Sequence, residues 1–229
     1  MRLAIIPARG GSKRIPRKNI KNFHGKPIIA YTIESAINSK LFDEIMVSTD
    51  DKEIAEIAKK YGAKIPFFRN YETSSDTATT LDVISEVIAN YENNGIVVNE
   101  FCCMYPCAPF ISENLITESY LKFSTNCYDT VFPIVRYTTP IQRALKTTGN
   151  LVEMYDDRFQ NTRSQDLPSA FYDAGMFYWS SKRVIEENSS LFTKNTSYIE
   201  LDELKTQDID NEIDWKLAEL KYELLQHTH

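Results

Sequence analysis

Short apolar runs alternate with amphipathic stretches along most of this chain, and that alternation limits its possible folds more than any other feature. Arg2–Pro7 is an apolar run that ends in Pro7-Ala8-Arg9-Gly10-Gly11, which predicts a buried strand entering a loop. Pro27 suits the first turn of a helix, and Ile29, Ile33, Ala36 and Ile37 then recur at helical spacing to about Ser39. Glu44–Ser48 predicts the next strand. Asp50 and Glu53 predict an N-cap and its partner for a helix that lines up Ile54, Ile57, Ala58 and Tyr61 and stops at Gly62. Residues 63–68 predict a strand, 78–93 a helix, 100–105 a strand closed by Pro106, 112–123 a helix and 130–135 a strand. This rhythm belongs to the α/β class, with a mostly parallel twisted sheet and helices on both faces. Ligands of such sheets bind at the carboxyl ends of the strands.

Beyond residue 136 the rhythm breaks. Residues 137–169 are polar, with Gly149-Asn150 predicting a hairpin turn between 143–147 and 151–155, and read as an arm inserted into a single domain spanning 1–229. An aromatic strand is expected over 171–179. The last helix carries Ile213, Leu217, Leu220 and Leu224 on one face. No apolar run approaches the roughly 18 residues that span a bilayer, and no leader pattern opens the chain, so a cytoplasmic protein without a membrane role is expected. Cys102, Cys103, Cys107 and Cys127 lack metal-ligand spacing and read as reduced thiols. His24, His227 and His229 form no triad, and the terminal pair reads as a disordered tail.

A net charge of −6 disfavours broad attraction to nucleic acid or acidic membrane, which makes one local exception informative. Between Ala8 and Lys26 stand Arg9, Lys13, Arg14, Arg17, Lys18, Lys21 and Lys26, with no acidic residue among them. Paired Gly10 and Gly11 let the backbone turn its N–H groups toward an anion, and the cations can neutralise a polyphosphate. The pattern is neither GxGxxG nor GxxxxGK[ST], so it is not a dinucleotide fingerprint or a P-loop. A second constellation is Gln207-Asp208-Ile209-Asp210, which in an extended segment points both carboxylates to one side. Either they share a Mg²⁺ with a phosphate, or one of them caps the helix that starts near Asn211. A third group, Arg143, Arg163, Ser164, Gln165, Tyr172, Asp173 and Tyr178, is either the edge of a site for a carboxylate or ordinary surface.

The run from Ile5 to Asn19, with Gly25-Lys26-Pro27 after it, resembles the signature of the CMP-sialic acid synthetases. Later blocks follow in that family's order: Arg69 with 75–80, Tyr105-Pro106-Cys107-Ala108-Pro109-Phe110, and Asp208-Ile209-Asp210 with Asp214-Trp215. Segments 47–51, 140–144, 161–166 and 172–179 look most like the members that act on pseudaminic acid, a nine-carbon acidic sugar displayed on surface structures such as flagellin. The resemblance implies a nucleotide-diphospho-sugar transferase-like fold and an enzyme that joins CTP to such a sugar with loss of pyrophosphate. The alternatives are the same reaction on N-acetylneuraminic or legionaminic acid, or a non-catalytic module that senses CTP.

On this reading Arg9, Lys13 and Lys18 serve the triphosphate, with Ala8, Gly10, Gly11 and Ser12 closing around it. Asn19, Arg69, Thr80 and Cys107 face the cytidine, and Asp208 and Asp210 hold Mg²⁺. Tyr105, Arg143, Arg163, Gln165 and Tyr178 face the sugar, Arg163 meeting its carboxylate. The family also implies a homodimer formed through the arm at 137–169. Two departures stand out: Cys107 where the family has Thr, and Met176 where it has Gln.

Overall fold

The computed structural model describes residues 1–227. The strands are β1 (Arg2–Pro7), β2 (Asn22–Phe23), β3 (Lys26–Pro27), β4 (Glu44–Ser48), β5 (Glu100–Met104), β6 (Thr130–Arg136), β7 (Leu145–Thr148), β8 (Leu151–Met154), β9 (Phe171–Asp173), β10 (Phe177–Ser181) and β11 (Thr196–Leu201). The helices are α1 (Ile28–Ser39), α2 (Lys52–Lys60), α3 (Thr80–Asn93), α4 (Glu113–Thr125), α5 (Lys182–Asn188) and α6 (Glu212–Gln226). The central sheet runs β11-β6-β10-β5-β1-β4, with β9 also paired to β6. Strands β4, β1, β5, β6 and β11 share one direction, while β9 and β10 run against them. The sheet is therefore mostly parallel, as expected, with an antiparallel strand wedged into its middle.

Helices cover both faces. On one side α1, α2 and α4 bring Ile29, Ile33, Ile54, Ala58, Ile116 and Phe123 against Ala4, Ile6, Cys102 and Trp179. On the other, α3 brings Ile84, Val87, Ile88 and Tyr91 against Leu3, Ile5, Phe101 and Cys103. Alternate residues of β1 thus enter opposite cores, as the period of two requires, which is why that strand reads as continuously apolar. Trp179 of β10 is fully buried, stacks on Phe42 with centroids 5.1 Å apart, and donates its indole N–H to Ser119 Oγ at 3.1 Å.

The structure corrects several boundaries. Asp51, not Asp50, caps α2, accepting from the Glu53 and Ile54 N–H groups at 2.9 and 3.0 Å. Asp50 instead turns back to accept from Gly10 N–H at 2.8 Å. Pro27 is the N-cap of α1 and not inside its first turn. Residues 63–68 form no strand; a single bridge joins Lys64 to Met46 before the chain leaves the sheet. The aromatic run 171–179 is two strands, β9 and β10, broken at Gly175, whose φ of +62 lies in the left-handed region. That turn sends β9 along β6 and slots β10 between β6 and β5. The expected hairpin is present, as β7 and β8 around Gly149 at φ +59.

On α6 the apolar stripe faces outward: Ile213 is 71% and Leu220 57% exposed. Trp215 and Ala218 are the buried contacts, and Trp215 meets Phe23 edge-on at 5.6 Å beneath the Lys21 ammonium. His227 is the C-cap of α6 and not tail, while His229 lies outside the described residues. No helix among the described residues is long and apolar enough to cross a membrane.

Candidate active site

The carboxyl ends of β1 and β5, the loop after β1 and the segment before α6 enclose a cleft of about 470 Å³. Arg9, Ser12, Lys13, Arg14, Lys18 and Asn19 line it from the loop, and Tyr105, Pro106 and Cys107 from the end of β5. Gln207, Asp208, Ile209 and Asp210 close the far wall, and Gly175 joins them from the turn between β9 and β10. The basic loop and the aspartate pair, nearly two hundred positions apart in sequence, are tied directly. Lys18 Nζ donates to the Ile209 carbonyl at 2.6 Å, and Arg14 Nη2 to Asp210 Oδ1 at 2.8 Å.

The self-repulsion of the basic run is relieved by carboxylates brought from elsewhere. Asp76, on the loop before α3, takes Arg9 at 2.7 Å and also pairs with Lys13. These contacts hold its carboxyl below the usual range, the Lys13 hydrogen bond first and that from Arg9 next. Arg17 reaches Asp51 Oδ2 and Glu53 Oε2, each at 2.5 Å, and Lys21 reaches Glu212 at 2.8 Å. The hydrogen bonds from Arg17, helped by the two N–H groups of α2, hold Asp51 at about 2. Gly10 packs against this carboxylate so closely that a Cβ there would lie 2.7 Å from Asp51 Oδ2. The requirement for glycine at position 10 is therefore steric, whereas Gly11 has open space around it.

Asp208 and Asp210 do not cap α6. Asn211 caps it, accepting from Ile213 and Asp214 N–H, and Asp214 completes a capping box. Both aspartates are left for the cleft. Partial loss of water raises the Asp208 carboxyl, and the Asp210 charge raises it further. Its side chain still reaches solvent, so the penalty is moderate in size. Among the described residues no group of three or more His, Cys, Asp or Glu side chains is arranged so that it could hold a metal ion by itself. Two hard oxygen ligands beside a ring of cations match an ion that takes its remaining ligands from phosphate and water.

Other expected residues stand around the cleft. Ala8 is buried below the loop. Asn19 is buried, with both ends of its amide held: Nδ2 donates to the Arg9 carbonyl at 2.9 Å and Oδ1 accepts from Cys107 Sγ at 3.1 Å. Cys107 thus partly replaces a hydroxyl as a donor, and burial pushes its thiol up to about 12. Arg69, only 8% exposed, points to Ser48, bonding its carbonyl at 2.6 Å and its Oγ at 2.9 Å. Thr80 Oγ1 lies 3.0 Å from Tyr105 Oη, and Tyr178 packs edge-on beneath Tyr105 and donates to Asp173. Met176 is buried in the core and does not face the cleft.

Arg143, Arg163 and Gln165 are exposed on the arm and do not line the cleft, and Arg143 donates to Ser164 Oγ at 3.3 Å. Three further residues shape the site although the sequence reading gave them no role of their own: Gln207, named there beside the aspartate pair, Asp76, inside the block 75–80, and Asp51. The doubled aspartate at 50–51 carried a signal for Asp51, but one residue of register decides which member caps the helix and which meets the loop.

Residues 3–226 match the family model described as Cytidylyltransferase. The chain belongs to the cytidylyltransferase family. It is 42% identical over 223 residues to a pseudaminic acid cytidylyltransferase of Campylobacter jejuni subsp. jejuni, covering 97% of this chain and 96% of that one. It is 32% identical over 234 residues to a CMP-N,N'-diacetyllegionaminic acid synthase of Legionella pneumophila, covering 99% and 98%. A solved CMP:2-keto-3-deoxy-manno-octonic acid synthetase, described as complexed with CTP, superposes with a TM-score of 0.69 at 16% identity, covering 99% of each chain. That likeness shows the shared nucleotidyltransferase fold. This cytidylyltransferase is thus a CTP-using enzyme, and its cleft lies at the strand ends where the fold class places its ligands.

Proposed function

We propose that this cytidylyltransferase joins the α-phosphate of CTP to the anomeric hydroxyl of pseudaminic acid, releasing pyrophosphate. The observation that carries the nucleotide half is the convergence of Arg9, Lys13, Lys18, Asp208 and Asp210 on one cleft. The sugar half rests on the 42% identity, over nearly full length, to the Campylobacter enzyme of that name. The legionaminic acid reading is supported less well, at 32%.

Arg9, Lys13 and Lys18 neutralise the triphosphate, and Ser12 with the backbone of Gly10 and Gly11 completes the cradle. The phosphates compete with Asp76 for Arg9 and Lys13, the two cations it pairs with. Asp208 and Asp210 would hold Mg²⁺. When bound, that ion supplies charge neutralisation at the reacting phosphate and acidifies the attacking hydroxyl. The remaining task of the protein is positioning, with Asn19, Cys107 and Arg69 shaping the cytidine end and Tyr105 and Tyr178 the sugar end.

The arm at 137–169 is proposed to pair two copies of this single domain and to bring Arg143, Arg163 and Gln165 to a neighbour's cleft. In support, Leu145, Leu151, Val152 and Tyr155 of the hairpin region are all at least 60% exposed, more apolar surface than an isolated hairpin needs. A CTP-dependent reaction of this kind belongs in the cytoplasm, where the nucleotide is made. The test is direct: purified protein with CTP, Mg²⁺ and pseudaminic acid should yield one pyrophosphate for each phosphodiester-linked CMP-sugar seen by mass spectrometry. CTP binding without any such product, across acidic nine-carbon sugars, would refute the catalytic reading.

A further inference from the structure

Every cation of the basic loop has a partner, yet only one of them sits on a carboxylate assigned to the metal ion. Arg14 Nη2 donates to Asp210 Oδ1 at 2.8 Å, and both residues line the cleft. The pair is open to solvent, with 66% of the Arg14 side chain and 44% of the Asp210 side chain exposed. Ion pairs of this kind contribute little to stability. Nor is this one needed to fasten the segment before α6. Lys18 already holds the Ile209 carbonyl at 2.6 Å, Ile209 is buried in one cluster with Ile15, Phe23 and Trp215, and Asp214 Oδ2 accepts the Asp210 N–H at 3.0 Å. The Asp210 backbone is thus fixed without Arg14, which leaves the contact between their side chains free to exchange.

A guanidinium and a divalent ion both seek carboxylate oxygen and repel one another. With Arg14 in place, an ion approaching Asp208 and Asp210 meets two negative charges and one positive one, and to take Asp210 it must strip the guanidinium of its carboxylate. A triphosphate removes both obstacles. Its oxygens complete the ligand set of the ion, and they offer a new anionic partner to Arg14, whose forked N–H groups suit phosphate as well as carboxylate. We infer that Arg14 is a charge gate on Asp210, which holds that carboxylate against a bare divalent ion and passes to the triphosphate when nucleotide and ion enter together. The aspartate pair then takes its ion with the nucleotide rather than ahead of it. The inference rests on the metal and CTP readings above and gives a role to a cleft residue that they leave without one.

Two binding measurements, neither of which needs turnover, read the two halves of the gate. Mn²⁺ alone, followed through the electron paramagnetic resonance signal of the free ion, should bind Arg14→Gln about 5-fold more tightly than the wild type, as the competing exposed ion pair is gone. CTP alone, titrated by calorimetry in the presence of a chelator, should bind Arg14→Gln about 5-fold more weakly, because a charged contact to phosphate is lost in a solvent-screened site. The two effects thus have opposite signs. Arg14→Lys keeps a positive charge beside Asp210 and should return Mn²⁺ affinity to near the wild-type value. Adding Asp210→Asn to Arg14→Gln should abolish the gain in Mn²⁺ affinity, which places the gain at that carboxylate.

If Arg14 merely fastens Asp210 in place, Arg14→Gln must bind Mn²⁺ more weakly, and if the pair is inert the affinity must not move; either result overturns the inference. Unchanged binding of metal-free CTP overturns it equally, since the guanidinium then does not pass to the phosphates. The underlying readings fail in other ways. Asp210→Asn with the Mn²⁺ affinity of the wild type would defeat the metal assignment, and wild-type protein that binds no CTP would defeat the nucleotide reading. Both are distinct from an Asp210→Asn protein that loses the ion beside an Arg14→Gln protein that behaves as wild type.

Discussion

Replacing Gly10 by alanine should disturb a helix cap forty residues away in sequence. The backbone at Gly10 is not in the left-handed region, so the torsion itself accepts alanine. Space does not: the new Cβ would lie 2.7 Å from Asp51 Oδ2 and 3.0 Å from Asp51 Cβ. Asp51 has little freedom to retreat, since Oδ1 holds the first turn of α2 through Glu53 and Ile54 N–H and Oδ2 holds Arg17 at 2.5 Å. Giving up the cap costs about 1 kcal/mol. The ion pair adds about 0.5 kcal/mol, discounted because Arg17 is more than a third exposed. Reduced freedom of the unfolded chain returns roughly 0.5 kcal/mol, leaving a net loss of about 1 kcal/mol. Urea unfolding followed by circular dichroism measures it. In an Asp51→Gly background the whole side chain, obstacle and cap alike, is gone, so Gly10→Ala should then be neutral or slightly stabilising. The same loss in both backgrounds would refute the steric argument.

Asp210→Asn should lower kcat by about 100-fold or more while changing unfolding stability by less than about 0.5 kcal/mol, since its pair with Arg14 is exposed; a steady-state pyrophosphate assay beside a urea curve checks both. Asp51 sits at about 2 in the folded chain against an ordinary 3.8, so it adds stability above pH 4 that is lost as pH falls from about 4 to 2. Asp51→Asn keeps a competent cap, and its deficit against the wild type, about 1 kcal/mol at neutral pH after screening, should close over that window in acid titrations of stability. Arg163→Ala should raise KM for the sugar about 10-fold or more and leave KM for CTP nearly unchanged; equal effects on both would remove its assignment to the carboxylate.

Much of the fold was legible because the apolar periods are clean: β1 and β4 match their expected ends, and α4 starts at the Ser112 cap. The failures share a cause, which is that local pattern does not report strand direction or partner. The aromatic run 171–179 reads as one strand, and only the Gly175 turn and the gap between β5 and β6 reveal two antiparallel ones. Residues 63–68 have strand-like composition but find one bridge to β4 and no further partner. The outward face of α6 was hidden for a related reason, as aromatic packing around Phe23 outweighs the leucine stripe in orienting the helix. At the site, the basic loop and the aspartate pair stood out by composition. Asp76 did not, because its meaning lies in a contact across sixty-odd residues with Arg9 and Lys13.

If this cleft transfers CMP to an acidic nine-carbon sugar, each transfer must release pyrophosphate. Pyrophosphate release tests the transfer most directly, measured as kcat/KM with CTP or UTP and with pseudaminic, legionaminic or N-acetylneuraminic acid in the presence of Mg²⁺. CTP with pseudaminic acid should give the highest value, and UTP little release. Comparable release with both nucleotides, or none with CTP and any of these sugars, would contradict it.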